Sequence, residues 1–260
     1  MKLRLDKLIL QRGLAASRER AQALVLAGRV LVNQQKIEKA GASVDDDAVI
    51  RVLGDEMPFV SRGGLKLARA LEHWHIDVRE KVCMDIGTST GGFTDCLLQN
   101  GAAEVIAVDT GYGQIDMKLR GDPRVRLLEK TNARYLTVEQ IWPEAALRRP
   151  INVIAMDVSF ISATLVAPAV VQTVRSGGGS SGFEVVVLVK PQFEVGRERI
   201  GKGGIVRDAE AQRMAVRRVS TTVAELGGEE IEVIDSPILG SEGNREFLLH
   251  AWFKQKMGRR

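Results

Sequence analysis

A glycine-rich turn between an apolar strand and a helix constrains this chain more than any other feature of its sequence. Residues 82–86 form a short apolar run, and Gly87-Thr88-Ser89-Thr90-Gly91-Gly92 follows it directly. Glycines let the backbone turn tightly and let a ligand approach main-chain N–H groups. A helix that begins near Gly92 would direct unpaired N–H donors and the positive end of its dipole toward the turn. The stretch therefore predicts a site for a polar or anionic ligand group.

An acidic residue ends the next apolar run, which covers residues 104–109. In a βαβ unit Asp109 would lie beside the glycine turn, where its carboxylate can accept hydrogen bonds from a ribose diol. The turn departs from the G-x-G-x-x-G pattern of a dinucleotide site. Asp85, two residues before the first glycine, can hold an ammonium group, which S-adenosylmethionine has and NAD lacks. We interpret the region as a nucleoside-cofactor site and favour S-adenosylmethionine. The alternatives are an NAD-linked oxidoreductase and a strand–turn–helix corner without a ligand.

Composition sets the broad class of the chain. Its 260 residues are 45% hydrophobic and 27% charged, enough for one full α/β domain and a smaller unit. No apolar run approaches the roughly 18 residues of a membrane span, and the N-terminus shows no apolar signal core. Two separated cysteines and three unclustered histidines predict no metal site. We expect a cytoplasmic protein without a membrane segment.

The positive charge of the chain is concentrated near the N-terminus. Residues 1–44 carry nine lysines and arginines but only three acidic residues. A basic end on a near-neutral body is typical of an appendage that binds nucleic acid, although such side chains can also be simply solvated. The excess favours RNA binding. The candidate RNA-binding residues are Arg4, Arg12, Arg18, Arg20, Arg29 and Lys36.

The basic end has the pattern of a small α+β unit. Leu5, Leu8 and Ile9 recur at helical spacing, and Ser17 is a candidate cap for a second helix. Residues 30–32 and 36–37 predict a hairpin, and residues 49–52 a further strand. We predict an RNA-binding domain over residues 1–55, a linker over 56–61, and a second domain over 62–256.

The second domain alternates apolar strands with helices, which predicts a Rossmann-like, doubly wound α/β fold. We expect a mostly parallel sheet of seven strands, a flexible connector at residues 176–182, and a substrate loop at residues 191–207. Ligands in such folds bind at the carboxyl ends of the strands, where Asp85, Asp109, Asp157 and Lys190 would converge. The predicted strands cover residues 82–86, 104–109, 124–128, 151–157, 184–190, 229–235 and 245–253.

Lys190 ends an apolar strand, and lysine is rarely buried without a partner. An acid such as Asp157 would keep its amine charged, whereas a neighbouring lysine would lower its pKa and make it a usable base. Lys66 and Glu246 are candidates to complete the cluster. Sequence alone leaves open whether those two side chains converge or are simply solvated.

Residues 1–53 resemble the S4-type RNA-binding module, which is named after a small-subunit ribosomal protein. The resemblance implies that this end of the chain docks on RNA. It is carried by Arg4-Leu5-Asp6-Lys7-Leu8, Ser17-Arg18-x-x-Ala21 and Ala27-Gly28-Arg29-Val30-x-Val32-Asn33.

The whole chain resembles the TlyA family, which joins that module to an FtsJ/RrmJ-like ribose 2'-O-methyltransferase domain. The resemblance runs from residue 1 to about residue 253. The matching segments are Ser61-Arg62-Gly63-Gly64-x-Lys66-Leu67, Asp85-Ile86-Gly87-x-Ser89-Thr90-Gly91-Gly92-Phe93-Thr94, Val108-Asp109-x-Gly111-x-Gly113-Gln114, Asp157-Val158-Ser159-Phe160-Ile161-Ser162, Val189-Lys190-Pro191-Gln192-Phe193-Glu194 and Gly243-Asn244-Arg245-Glu246.

The resemblance implies methylation of cytidine ribose in ribosomal RNA with S-adenosylmethionine as donor. The short termini are similar to those of the branch that modifies large-subunit RNA only. An RNA-binding assembly factor with a vestigial cofactor pocket is the alternative, and ribosomal RNA or a ribosomal subunit is the expected partner in both cases. The family's catalytic tetrad falls on Lys66, Asp157, Lys190 and Glu246. The expected cofactor residues are Asp85, Gly87, Ser89, Thr90, Gly91, Gly92, Phe93, Asp109 and Asn132.

Overall fold

The computed structural model describes residues 2–15, 17–53, 57–144, 149–177, 182–240 and 242–254. It divides into two compact units, Met1–Glu56 and Met57–Arg260. Residue 56 of the predicted linker and most of the predicted flexible connector (178–181) lie outside the described residues. The boundaries at 55 and 62 remain predictions.

The first unit contains the two predicted helices and two small sheets. Helices α1 (Leu5–Gln11) and α2 (Arg18–Leu26) supply much of its core, through residues such as Leu5, Ile9 and Val25. Ser17 caps α2, because its side chain accepts a hydrogen bond from the backbone N–H of Arg20. The strands are β1 (Lys2–Arg4) paired with β4 (Ser43–Asp45), and β2 (Val30–Val32) between β3 (Gln35–Lys36) and β5 (Ile50–Val52).

The second unit contains the predicted seven-stranded sheet within the described residues. Its strand order is β11-β12-β10-β9-β6-β7-β8, and only the pairs that involve β12 are antiparallel. The mostly parallel, doubly wound prediction is therefore confirmed. The strands are β6 (Val82–Ile86), β7 (Glu104–Val108), β8 (Val125–Leu128), β9 (Ile151–Met156), β10 (Phe183–Val189), β11 (Gly228–Asp235) and β12 (Phe247–Phe253).

Helices cover both faces of this sheet. One apolar layer packs α7 (Ala163–Ser176) and α9 (Ala209–Glu225) against the sheet. The opposite layer packs α3 (Gly63–His73) and α4 (Gly92–Gln99). Shorter helices are α5 (Met117–Arg120), α6 (Val138–Ile141) and α8 (Pro191–Glu194).

The predicted substrate loop is more ordered than its glycine content suggested. Residues 191–207 hold α8 and two single 3₁₀ turns, Arg197–Arg199 and Lys202–Gly204. Proline at the start of α8 is favourable, because a first-turn N–H has no partner within the helix. Among the described residues, no helix has the length and apolar character needed to span a bilayer.

Candidate active site

Two adjoining clefts open at the carboxyl ends of the parallel strands, where the fold class predicts a ligand site. The first has a volume of about 500 Å³ and the second about 200 Å³. Both are lined by Gly87, Ser89, Asp157 and Ser159. Asp109 and Asn132 lie in the first cleft. The second cleft contains Lys190 and the predicted residues Thr90, Gly92 and Phe93.

The glycines of the turn serve packing as much as ligand access. Gly87 has φ +88°, and a Cβ there would collide with the backbone carbonyl of Asp157. Gly91 has φ +97° and lines neither cleft, because the Leu119 side chain fills the space beside it. Contact of Gly91 with a ligand remains a prediction. The role of Gly91 in the fold is to let α5 pack closely against the turn.

Asp109 holds the turn and the end of β7 together. Its Oδ2 accepts a hydrogen bond from Ser89 N at 2.7 Å, and its Oδ1 accepts one from Gly111 N at 2.6 Å. A carboxylate oxygen has a second acceptor position, so both oxygens can still receive a ligand hydroxyl. The geometry is compatible with the predicted ribose contact and shows a structural role beside it.

Asp85 does not reach the clefts. Its side chain is completely buried, and its Oδ2 accepts hydrogen bonds from Thr94 N at 3.0 Å and Thr94 Oγ1 at 2.6 Å. Burial raises the pKa of this carboxyl to about 7, against the opposing effect of the Thr94 hydrogen bonds. Contact of Asp85 with a ligand ammonium group has no support from this conformation and remains a prediction. The carboxyl instead fastens the first turn of α4 to β6.

Lys190 is held between two partners at the edge of the second cleft. Its Nζ lies 2.6 Å from Asp157 Oδ1 as an ion pair and donates a hydrogen bond to Ser159 Oγ at 2.6 Å. The ammonium therefore has donor capacity left for a ligand in the cleft.

Lys66 and Glu246 form a second, more deeply buried pair. Lys66 Nζ donates to Glu246 Oε2 at 2.5 Å, and the two side chains are 10% and 3% exposed. Helix α3 carries the lysine, and the residue before β12 carries the acid. Neither Lys66 nor Glu246 lines either cleft.

Strand alternation explains why the tetrad gathers on one face of the sheet. Ala155, Leu188 and Leu248 all belong to the apolar layer that packs against α3 and α4. Asp157, Lys190 and Glu246 are each two residues from one of them, so they continue on the same face. Continuing the antiparallel register from Val189 and Phe247 also places Lys190 opposite Glu246.

Several lining residues were not assigned from the sequence. Ser159 belongs to a quoted motif and follows Asp157 by two, a spacing that puts both on one face of an extended segment. Phe160 is 92% exposed in the first cleft, with φ +63° and its ring 5.4 Å from that of Phe193. Other unassigned lining residues are Ser61, Thr110, Gln114 and Thr131.

The predicted RNA-binding arginines of the first unit are largely held by internal partners. Asp6 is completely buried and accepts hydrogen bonds from Arg4, Arg18 and Gln22 at 2.8–3.1 Å. The Arg4 hydrogen bond is the main cause that keeps the pKa of the Asp6 carboxyl well below its usual range. The cluster fixes two guanidinium groups whose side chains stay 48% and 43% exposed.

The remaining candidates in this unit differ in how they are held. Arg12 donates to the carbonyls of Ala48 and Asp46, and Arg29 donates to the Leu53 carbonyl at 2.8 Å. Lys36 pairs with Glu38 at 2.7 Å on the surface, and Arg20 is exposed. Contact of these residues with RNA remains a prediction.

Comparison with known proteins assigns the chain to a family. A family model for FtsJ-like methyltransferases matches residues 59–253, and one for the S4 domain matches residues 3–50. The chain is 43% identical over 257 residues to the 16S/23S rRNA (cytidine-2'-O)-methyltransferase TlyA of Mycobacterium tuberculosis, covering 98% of this chain and 91% of the relative. The chain belongs to the TlyA family of FtsJ-like methyltransferases. This membership favours the methyltransferase interpretation over the NAD-linked alternative.

Two further similarities support the assignment. The 23S rRNA (cytidine-2'-O)-methyltransferase TlyA of Campylobacter jejuni is 34% identical over 193 residues, covering 74% of this chain and 70% of the relative. A solved structure of a hemolysin-labelled protein from Streptococcus thermophilus is 40% identical, with a TM-score of 0.72. That similarity covers 98% of this chain and 90% of the solved chain.

The clefts suit the cofactor that such methyltransferases use. A volume of about 500 Å³ lies within the usual range for small-molecule sites. Asp109 offers carboxylate acceptors for a ribose diol, and Asn132, whose Oδ1 caps the next turn, keeps its amide N–H donors for a base. The lining therefore fits S-adenosylmethionine in size and in hydrogen-bonding character.

Proposed function

We propose that this protein is an S-adenosylmethionine-dependent 2'-O-methyltransferase that acts on cytidine ribose in ribosomal RNA. The observation that carries the proposal is the arrangement of Lys190 with Asp157 and Ser159 beside the glycine turn. It combines an amine that can engage a hydroxyl with an adjoining cleft suited to a nucleoside cofactor.

When bound, S-adenosylmethionine supplies a methyl group on a sulfonium centre that is already a good electrophile. The chain must therefore orient the ribose 2'-hydroxyl and help to remove its proton. Lys190 Nζ has donor capacity beyond its contacts with Asp157 and Ser159, and we assign that capacity to the 2'-hydroxyl. As an ammonium it can orient the hydroxyl, and it can accept the hydroxyl proton only after it has released one of its own protons.

The buried Lys66–Glu246 pair has a supporting role for Lys190 in this proposal. Its members are buried, and the extended register puts Glu246 opposite Lys190 on the neighbouring strand. We propose that the pair fixes the ends of β10 and β12 and sets the electrostatic surroundings of Lys190. Asp109 holds the cofactor ribose, and Gly87 and Ser89 shape the cleft around it.

The S4 domain provides the RNA-binding surface in this proposal. Arg4 and Arg18 are the best-placed candidates for phosphate contacts, because Asp6 holds both guanidinium groups while their side chains remain partly exposed. A preorganised guanidinium loses less freedom on binding a phosphate. Action on ribosomal RNA also leads us to propose a cytoplasmic location.

Large-subunit RNA is the substrate that we propose. The names of the M. tuberculosis and C. jejuni relatives have 23S rRNA in common, whereas 16S rRNA stands in only one of them. Whether the substrate is free RNA or an assembled subunit is part of the test below.

The proposal is tested by mapping 2'-O-methyl groups in ribosomal RNA from cells with and without the gene, and from cells carrying Lys190→Met. We expect a cytidine site in 23S rRNA that loses its methyl group in both altered strains. Purified free RNA and purified subunits are then compared as substrates. An unchanged methylation map together with a defect in ribosome assembly would instead support an assembly factor with a vestigial pocket.

A further inference from the structure

A buried carboxylate outside the tetrad lies one helical turn beyond Lys190. Glu194 is 3% exposed and belongs to α8. Its Oε2 accepts a hydrogen bond from Ser162 Oγ at 2.5 Å, and its Oε1 accepts one from Ala163 N at 2.7 Å. Ser162 is also the N-cap of α7, so the carboxylate binds the start of that helix.

Burying the Glu194 carboxyl costs more free energy than a purely structural contact needs. Burial raises the pKa of the Glu194 carboxyl, even though Ser162 and Ala163 donate to it. The N-terminal end of α7 partly offsets the cost, because unpaired N–H groups and the helix dipole favour a negative charge there. Arg218 also donates to the Glu194 carbonyl at 2.8 Å, which ties α9 to the same turn.

The contacts of Glu194 fasten one end of the segment that carries Ser159. At residue 159, Ser159 Oγ accepts a hydrogen bond from Lys190 Nζ at 2.6 Å. At residues 162 and 163 the chain bonds to Glu194, four residues after Lys190. Residues 159–163 and 190–194 are therefore joined at both ends.

The residue between these two ties is held in an unusual conformation. Phe160 has φ +63°, a strained conformation for a residue with a Cβ, which persists only when its surroundings impose it. Its side chain is almost fully exposed, so burial of the ring does not impose it. The bonds on either side, together with the contact between the Phe160 and Phe193 rings, hold this turn in place.

We propose that Glu194 is a positioning residue for Lys190, acting through the turn that it anchors. With the α7 end of the turn fixed, Ser159 Oγ is delivered to Lys190 Nζ, and the amine is directed toward the cleft. The inference rests on the proposed function, in which Lys190 engages the 2'-hydroxyl. Glu194 itself touches neither the tetrad nor the substrate in this assignment.

The test compares Glu194→Ala, Ser159→Ala, the double variant and Glu194→Gln in a methyl-transfer assay on ribosomal RNA. Misplacing a reacting group by about 1 Å can cost about 100-fold, so we expect kcat of Glu194→Ala to fall about 10- to 100-fold. The KM for S-adenosylmethionine should stay unchanged, because Asp109 and the glycine turn are untouched. Glu194→Gln should recover most of kcat, since its amide can accept from Ala163 N and donate to Ser162 Oγ.

The double variant distinguishes positioning from general destabilisation. If Glu194 acts through Ser159, Ser159→Ala/Glu194→Ala should be no slower than Ser159→Ala alone, to within about twofold. Multiplicative losses in the double variant would overturn the proposal, as would an unchanged kcat in Glu194→Ala. Glu225→Ala, which removes an exposed carboxylate at the end of α9 and outside the predicted substrate loop, is the matched control and should behave as the wild type.

Thermal melts accompany every variant. Should Glu194→Ala fail to fold, Ser162→Ala removes one hydroxyl and leaves the bond from Ala163 N to the carboxylate. Ser162→Ala should then also lower kcat, by a smaller factor than expected for Glu194→Ala, and leave the KM for S-adenosylmethionine unchanged. A normal kcat in Ser162→Ala would count against the proposal. Failure of the proposed function is a separate result, because the wild type would then transfer no methyl group.

Discussion

Breaking the Lys66–Glu246 pair should destabilise the methyltransferase domain strongly. Lys66→Met keeps most of the volume of the side chain but leaves Glu246, 3% exposed, without its cation. Removing one partner of a buried ion pair typically costs about 3–5 kcal/mol, because the other charge stays buried and unpaired. For a domain of this size, about 1 kcal/mol corresponds to a change in Tm of about 2–4 °C. We therefore expect Tm to fall by roughly 6–20 °C.

The size of this loss can be separated from simple loss of packing. Lys66→Met/Glu246→Met removes both charges and should recover most of the stability, because an apolar pair of similar volume carries no desolvation cost. Lys190→Met is the matched single variant. Its carboxylate partner, Asp157, is 20% exposed and can be hydrated, so the loss of Tm should be clearly smaller.

Thermal and urea denaturation of the four proteins provide the assay. A Lys66→Met protein that melts with the wild type would refute the reasoning, since the pair would then contribute nothing measurable. A double variant as unstable as the single one would assign the loss to packing instead of charge. Methyl transfer by a stable double variant would remove Lys66 and Glu246 from the catalytic cluster.

Three further outcomes follow from the structure. Asp109→Ala should lose about 2–3 kcal/mol of S-adenosylmethionine affinity by calorimetry, and unchanged affinity in a folded variant would exclude the ribose contact. Removal of residues 1–55 should leave cofactor binding intact but weaken RNA binding and its salt dependence. Equal methylation by the truncated and the full-length protein would show that the S4 domain does not anchor the RNA substrate. Burial raises the pKa of the Asp85 carboxyl to about 7. Between about pH 4 and about pH 7 the folded state therefore keeps a proton that the unfolded state releases, so the free energy of unfolding should fall as the pH rises through this range. Urea denaturation at about pH 5 and about pH 8 checks this, and Asp85→Asn should flatten the dependence; a variant with the wild-type slope would assign it to other groups.

The position of the site was predictable because of the topology. Parallel strands joined by helices bring their carboxyl ends to one edge, so residues at those ends meet there whatever their spacing in the chain. That rule predicted Asp109, Asp157 and Lys190 beside the glycine turn, and the structure places all three along the clefts. It could not show that Asp157 and Lys190 would be direct partners, since side-chain contacts depend on rotamers.

Asp85 shows where strand patterns stop being informative. Every residue of β6 is buried, so apolar periodicity does not reveal which way the acid points. Thr94, nine residues later, takes up its Oδ2 through both a backbone and a side-chain donor. A fully buried strand offers no polar alternation from which that contact could be inferred.

Charge counting was similarly incomplete in the S4 domain. The excess of basic residues was visible, but Asp6 had no distinguishing mark among them. Its role comes from complete burial beneath Arg4 and Arg18, which only the packing of α1 against α2 reveals. Lys66 and Glu246 are 180 residues apart, and their pairing likewise required the fold.

The most direct test of the account is methyl transfer by the purified protein to ribosomal RNA, with the modified nucleosides identified by mass spectrometry. The wild type should produce 2'-O-methylcytidine. Lys190→Met should fold and bind S-adenosylmethionine normally but lose turnover by about 10²–10⁴-fold, the usual contribution of proton-transfer catalysis. Recovery of turnover in Lys190→Arg, which cannot accept a proton, would assign Lys190 an orienting role only. Methylation of the base instead of the ribose, or full turnover by folded Lys190→Met, would contradict the account.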